Sequence, residues 1–432
     1  MKEIESPRGT VVPAIFAWVL RALFLLALLL SASCAHQPVK PAMPAVPPKK
    51  PAPAVPGPAL VPTSWKDLGG FEDDLGFDGL AQACRASLSY FQKLPPSATF
   101  DFGGKAFTAV QLAASTSALL AIAEGSGLGP AQKAARVRRE FTLFKSLGSD
   151  GTGAVLVTGY YEPWLEGRRT PDARFTIPIY HKPEDMLTVD LSLFPSARSQ
   201  ARLVGRVQGD ELVPYFTRGE ITAGALAGKG LELLWLDDPV DLFFLQVQGS
   251  GKVTLEDGSE VRVQYDAQNG RPYRSLGKVL IDLGVLPADQ VSMQAIRAYF
   301  HDHPDQLPLL NENASYTFFR LEKDGPYGST GVILTPGRSI ATDAKVFPKG
   351  APALLRSRKP VLDARGQVRG WEPFARLVLN QDTGGAIVGP GRVDLFWGGG
   401  PMAEAGAGRM KEPGELYFLL DESVAAQGTP PA

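Results

Sequence analysis

From Trp65 onward the chain alternates between two kinds of apolar spacing. Leu80, Cys84, Leu88 and Phe91 recur at three- and four-residue intervals, the period of a helix with one buried face. That spacing puts Cys84 on the apolar side as a buried, unreactive thiol. Thr108-Ala-Val-Gln111 has the spacing of a capping box and opens a second helix through about Ala123. Pro130 starts a third, running to about Phe144 before Gly148 and Gly151 stop it. From Ala154 short apolar runs bounded by Gly, Pro and Asp take over: AVLVTGYYEP, FTIPIY, DLFFLQVQGSG and GVILTPG. These read as strands, with Phe243, Leu245 and Val247 alternating as the core face of one of them. Lys252–Tyr265 alternates on both sides of Glu256-Asp257-Gly258, a hairpin pattern. Helical spacing returns at Ser275–Leu283 and at Ala288–His301, where Met293, Ile296 and Phe300 share a face and His303-Pro304 ends the run. The remainder is β-like again.

The amino terminus follows other rules. Lys2, Arg8 and Arg21 supply positive charge, and Ala22–Leu30 is an uninterrupted apolar run. It is shorter than the ~20 residues that span a bilayer, but it suits the core of a signal peptide. Ser31-Ala32-Ser33 then lead into Cys34, similar to a bacterial lipobox, with Ser31 where the usual leucine stands and Leu30 beside it. The expectation is a lipoprotein signal over residues 1–34 with lipidation at Cys34. An ordinary signal peptide with secretion to the periplasm, or an uncleaved anchor that includes Val11–Leu20, are the alternatives. Residues 35–63 are dominated by proline and alanine, which supports neither helix nor ladder and reads as a semi-extended tether.

Composition narrows the function classes. With 432 residues the chain is long enough for two or three domains. Its 44 basic and 45 acidic residues leave a net charge of −1, so there is no electrostatic footprint for nucleic acid. Abundant glycine (46) and proline (37) beside 44% apolar residues fit a turn-rich, largely β protein. Two cysteines exclude a disulfide scaffold. None of the four histidines lies in a metal-binding motif. There is no phosphate-binding GxxxxGK[ST] and no GxSxG elbow, so neither metal nor cofactor is called for. Carboxylates are left as the catalysts.

The densest candidate is Leu379–Trp397, where Asp382 and Asp394 flank a loop containing Gly384, Gly385, Gly389 and Gly391. Paired carboxylates in a glycine-rich cleft suit glycoside chemistry, in which an acid must protonate a poor alkoxide leaving group. Taken alone, aspartates beside glycines are as readily turn residues.

This segment resembles the carboxy-terminal domain named for three aspartates in the membrane-bound lytic murein transglycosylase A family. Asp343 in SIATDAKVFPKGAP matches the first aspartate, Asp382 in QDTGGAI the second and Asp394 in GRVDLFWG the third. Further similar blocks stand in the family's order: TSWKDLGGF, TGYYEPWLEG, PYFTRGEI, FFLQVQGSG, NGRPYRSLG and NASYTFF. The resemblance implies a mainly β (α+β) chain: a double-psi β-barrel with a second β domain inserted, plus N-terminal helices. The expected boundaries are 64–175 for the helices and first part of the barrel, 176–325 for the insert, 326–425 for the three-aspartate part and 426–432 for a tail. It implies a lyase, a peptidoglycan lytic exotransglycosylase, with Asp394 as acid and Asp382 and Asp343 as companions. Asp343 and Asp382 are equally suited to holding barrel loops through backbone hydrogen bonds. Groove residues expected beside them are Gly159, Tyr160, Tyr161, Glu162, Pro163, Gln246, Gln248, Gly249, Ser250, Gly251, Gly384 and Gly385. Trp164 and Trp397 suit either core or sugar platform. The implied partners are peptidoglycan glycan strands, a membrane (the periplasmic face of the outer membrane) through the lipid anchor, and cell-wall synthesis complexes. A two-carboxylate hydrolase and a non-catalytic, expansin-like wall-binding module are the rival readings.

Overall fold

A computed structural model describes residues 59–194 and 202–428 of the chain; Cys34 and most of the tether lie outside them. The chain enters through strand β1 (Leu60–Thr63) and then forms three helices. In α1 (Leu80–Phe91) the residues at helical spacing, Leu80, Ala83, Cys84, Ser87 and Phe91, are buried. Burial pushes the Cys84 thiol up to about 12, so it is an inert core group. Helix α2 (Ala109–Ala123) is opened by the expected capping box: Gln111 donates its backbone N–H to Thr108 Oγ1, and Thr108 N–H donates to Gln111 Oε1 at 2.8 Å. Helix α3 (Pro130–Glu140) ends earlier than its apolar run indicates. Phe141, Leu143 and Phe144 belong instead to strand β2 (Phe141–Ser146), where they find partners on both sides.

The barrel begins with β3 (Val155–Glu162). The chain then leaves it at Pro163, ahead of the expected boundary at 176, because β4 (Trp164–Glu166) already pairs within another sheet. That sheet runs β7–β6–β5–β4, with β5 (Ser250–Thr254) and β6 (Glu260–Gln268) forming the hairpin and β7 (Thr317–Glu322) closing it. One reading is overturned here. DLFFLQVQ is not a strand but helix α4 (Pro239–Gln248). Asp238 caps it by accepting from Val240 N–H at 2.7 Å, Pro239 sits in the first turn, and Gly249 ends it at φ 83°, a left-handed conformation that glycine adopts freely. The run looked strand-like because Leu242, Phe243, Phe244 and Leu245 are all buried, which erases the helical period. Helix α5 (Leu276–Asp282) follows Ser275 as expected, whereas α6 (Met293–Asp302) starts only after Ser292 caps it. GVILTPG forms no strand; Ile333 makes a single bridge to Tyr327.

After the insert, β8 (Ser339–Ala341), β9 (Pro352–Leu362), β10 (Val368–Asp382), β11 (Arg392–Gly399) and β12 (Lys411–Asp421) complete the barrel. The order is β12–β9–β10–β8–β11–β3, and β3 pairs back onto β12 to close six strands. This is the double-psi barrel the resemblance implied, in a mainly β chain. Alternation sorts its side chains into two cores. Val157, Ile340, Leu355, Val378, Val393 and Phe418 fill the interior. Leu354, Leu377, Leu379 and Leu419 face outward and are covered by Leu80, Leu119, Ile122 and Val137 of the amino-terminal helices.

A buried ion pair joins these helices to the barrel. Arg338 grips Asp73 with two 2.7 Å bonds, and both side chains are fully buried. Further bonds surround the pair: Arg338 donates to the carbonyls of Asp78 and Leu377, and Asp73 accepts from the N–H groups of Leu75, Phe77 and Leu377. Removing one partner strands the other charge in the core, which typically costs ~3–5 kcal/mol. Arg338→Met should therefore lower the unfolding free energy by about that amount in urea titrations. A loss of under ~1 kcal/mol would mean that the pair is energetically idle.

Candidate active site

Three strands bring the aspartates together. Strand β8 lies between β10 and β11, so Ala341 pairs with Asp382 on one side and with Asp394 on the other. Asp394 in turn pairs with Thr158 on β3. The row Asp382–Ala341–Asp394–Thr158 crosses the barrel wall, with the two aspartates two strand spacings apart, ~10 Å between Cα atoms. A bulge sets that row. Ile340 pairs with Asn380 but Ala341 pairs with Asp382, so Gln381 is skipped. The skipped Gln381 is buried, accepting from Ser339 Oγ at 2.6 Å and donating to Ala83 O and Ser87 Oγ. With Val393 and Leu395 committed to the interior, Asp394 and Phe396 face outward. There Tyr160, Leu334, Ala341 and Phe396 form a small apolar patch, and the rings of Tyr160 and Phe396 lie 5.2 Å apart.

The aspartates do not share one environment. Asp394 Oδ1 accepts a 2.8 Å bond from Thr158 Oγ1. Burial pushes its pKa up to about 6, against the lowering effects of the Thr158 bond and the nearby Arg392 charge, with Asp382 adding a further upward push. Asp382 is raised as well, again chiefly by burial, but Lys349 and two backbone donors oppose this. Its Oδ1 accepts from Ser329 N–H at 2.9 Å and Thr383 N–H at 2.8 Å. Lys349 donates to the Asp382 carbonyl, and burial brings that ammonium down to about 8. Asp343 spends both oxygens on backbone, accepting from Lys345 N–H at 2.9 Å and from Gly389 N–H at 2.7 Å. It thereby pins the glycine-rich loop that carries Gly384 and Gly385. The Tyr160 hydroxyl is buried beside Asp382, and burial plus the charges of Asp382 and Asp394 raise its pKa well above the phenol range. Thr158, Arg392, Lys349 and Ser329 were not singled out from the sequence. Thr158, Lys349 and Arg392 nevertheless stand inside the motif blocks: Thr158 adjoins Gly159, Arg392 lies two residues before Asp394, and Lys349 six after Asp343.

Several expected groove residues do other things. Tyr161 is fully buried, its hydroxyl against Met293 Sδ. Gln246 is buried too and is tied to Thr317: its side-chain amide donates to the Thr317 carbonyl, and its backbone carbonyl accepts from the Thr317 hydroxyl. Gln248 accepts from Tyr161 N–H at 3.0 Å, and Glu162 pairs with Arg262 at 3.0 Å. Pro163 accepts from Lys252 N–H, Ser250 and Gly251 sit in the β5 ladder, and Gly249 ends α4. A Cβ on Gly159 would stand 2.7 Å from Trp397 Nε1 and 2.8 Å from Ala407 Cα, so glycine there lets helix α7 (Pro401–Ala407) approach β3. Trp397 is therefore a packing residue, whereas Trp164 is half exposed with Lys252 Nζ 3.8 Å from its ring centre. Most of this block positions β3, the strand that carries Thr158 and Tyr160. Among the described residues no three His, Cys, Asp or Glu side chains converge as metal ligands. A cavity of about 420 Å³ beside Phe102, Phe144 and Glu422 includes none of the aspartates.

Comparison with known proteins fits this architecture. Residues 156–320 match the model of the MltA specific insert domain and residues 338–420 that of the 3D domain. Membrane-bound lytic murein transglycosylase A of Vibrio cholerae is 35% identical over 284 residues, 65% of this chain and 69% of that one. The chain belongs to the membrane-bound lytic murein transglycosylase A family. The crystal structure of the Agrobacterium tumefaciens membrane-bound lytic murein transglycosylase superposes with TM-score 0.71 at 32% identity, covering 85% of this chain and 99% of that one. An Escherichia coli family member, solved with bound chitohexaose, superposes at 0.59 with 28% identity, covering 85% and 93%.

The electrostatics of this family member's row are measurable directly. Carbon-13 NMR titration should give Asp394 a midpoint near pH 6. Thr158→Val removes a bond to the charged form, so the midpoint should move higher still. A midpoint near the ordinary ~3.9, or a downward move in the variant, would contradict the environment described.

Proposed function

We propose that this chain is a lytic transglycosylase that cleaves the bond between N-acetylmuramic acid and N-acetylglucosamine in peptidoglycan, with Asp394 as the single acid and base. The observation that carries the reading is the contrast within the row: Asp394 is held by one side-chain bond and pushed up to about 6, whereas Asp382 is tied down by backbone donors. A carboxyl group with a pKa near working pH is the form able to donate to a glycosidic oxygen.

In the proposed reaction Asp394 enters protonated and gives its proton to the departing N-acetylglucosamine oxygen as the C1–O bond breaks. The resulting carboxylate takes the proton of the muramyl C6 hydroxyl, whose oxygen bonds to C1 and closes a 1,6-anhydro ring. The nucleophile is already attached to the reacting sugar, an intramolecular arrangement with high effective concentration. Asp382 and the Tyr160 hydroxyl stand beside the acid, the first keeping its pKa up through charge. Asp343 and Lys349 hold the loops. Because donation needs the protonated form, kcat/KM should fall as pH rises through about 6.

The relatives carry "membrane-bound" in their names, and no described helix of this chain is long and apolar enough to cross a membrane. A lipid on Cys34, at the periplasmic face of the outer membrane, is the anchoring proposed here, supported by the small-residue run before that cysteine and the proline tether after it. Contacts with cell-wall synthesis complexes belong to the same proposal.

Digesting purified sacculi and weighing the fragments tests the chemistry. Ends lighter by one water, formed with or without chelator, are expected; reducing muramic ends would mean a hydrolase, and binding without fragments a wall-gripping module. Asp394→Asn should fold normally and lose ~10²–10⁴-fold in rate. In cells, a fatty-acid analogue should label the wild type but not Cys34→Ser, and equal labelling would remove the anchor.

A further inference from the structure

Arg392 is a cation without a direct ion pair, among the described residues, beside the proposed acid. It lies two residues before Asp394 on β11, so both side chains leave the same face of the strand. Its guanidinium makes no ion pair among the described residues; Nη2 reaches Thr158 Oγ1 at 3.3 Å, and Nε is buried with no partner. The wall contributed by the insert does not neutralise it. Tyr273 there feels the charges of Arg218, Arg392 and Asp394 together. Arg218 is itself buried, bonded to the carbonyls of Asn313 and Ser315 and in no ion pair among the described residues. The acids facing this space are Asp394 and, across β8, Asp382; the other groups are the phenols of Tyr160 and Tyr273.

That placement has a cost for the chemistry. A fixed cation next to Asp394 favours its ionised form, the wrong form for a proton donor. An arginine fork with free N–H groups is suited to a planar carboxylate. We propose that Arg392 binds a carboxylate carried by the muramyl residue, from its lactyl group or its peptide stem, and so selects murein strands over neutral glycans. The bound carboxylate cancels the cation's pull on Asp394, so the correct substrate protonates its own acid. The inference rests on the transglycosylase reading for the identity of the glycan, but its selectivity is measured separately from the products.

The test compares intact strands, peptide-free strands with free lactyl carboxylates, and the same two preparations with their carboxylates converted to carboxamides. Wild type should cleave at least one carboxylate form about tenfold faster in kcat/KM than its amide. A preference confined to peptide-free strands assigns the lactyl group, and one confined to intact strands assigns the stem. Arg392→Gln should bring the ratio to about one, and Arg392→Lys should keep part of it, with thermal melts checking that both fold. Equal rates on carboxylate and amide strands in wild type would overturn the proposal, as would an undiminished preference in folded Arg392→Gln. Reducing rather than anhydro ends would overturn the reaction assigned above while leaving the measured preference to stand.

Discussion

The ion pair between Asp73 and Arg338 is the constraint on which the rest of the molecule depends. Strand β8, between the two aspartates, is three residues long, too short to hold its own place in a sheet. Arg338 is the residue immediately before it, and Leu377, bonded to both partners of the pair, belongs to β10 on its flank. The pair therefore fixes the start of β8 against both the amino-terminal segment and its neighbour strand. Buried ion pairs seldom repay the cost of removing two charges from water. This one has all three guanidinium nitrogens and both carboxylate oxygens hydrogen-bonded, so its value is positional, and the amino-terminal helices act as a jig for a site to which they contribute no side chain.

Given that jig, one extra residue differentiates two otherwise similar carboxyl groups. The bulge at Gln381 buries an amide in a closed network and moves Asp382 into the row beside Ala341. Without the bulge Gln381 would stand there, and Asp394 would lose the negative charge that helps keep it protonated. The small side chain of Ala341 leaves the two carboxyl groups in view of each other and of Tyr160. Asp343, the third aspartate, never joins the row; its two backbone bonds make it a clasp for the loop between β10 and β11.

Elements with a local chemical cause could be read from the chain alone. Thr108 and Gln111 announced a helix start because their bonds are local, and the Asp257-Gly258 turn announced its hairpin in the same way. The motif blocks located the aspartates and the barrel. What escaped were features set by tertiary burial. Helix α4 was hidden because it is buried nearly all round, although Asp238-Pro239 and Gly249 marked its ends. Tyr161 and Gln246 looked like sugar ligands because their polar groups suit that role, yet Tyr161 is buried between β3 and the insert and Gln246 ties α4 to β7 within the insert. Lys349 and Thr158 acquire their importance from a loop and a parallel pairing that no local pattern encodes.

Closing six strands also decides how this sheet meets other molecules. Each barrel strand has partners on both sides along part of its length, and beyond β12 the sheet continues through β2 and then β1. The outermost strand is four residues long and contains Pro62, which has no N–H to offer an incoming strand. That edge of the sheet gives neighbouring copies little template for edge-to-edge association. The edge is thus blunted in the same short segment at which the proline-rich stretch becomes a folded protein.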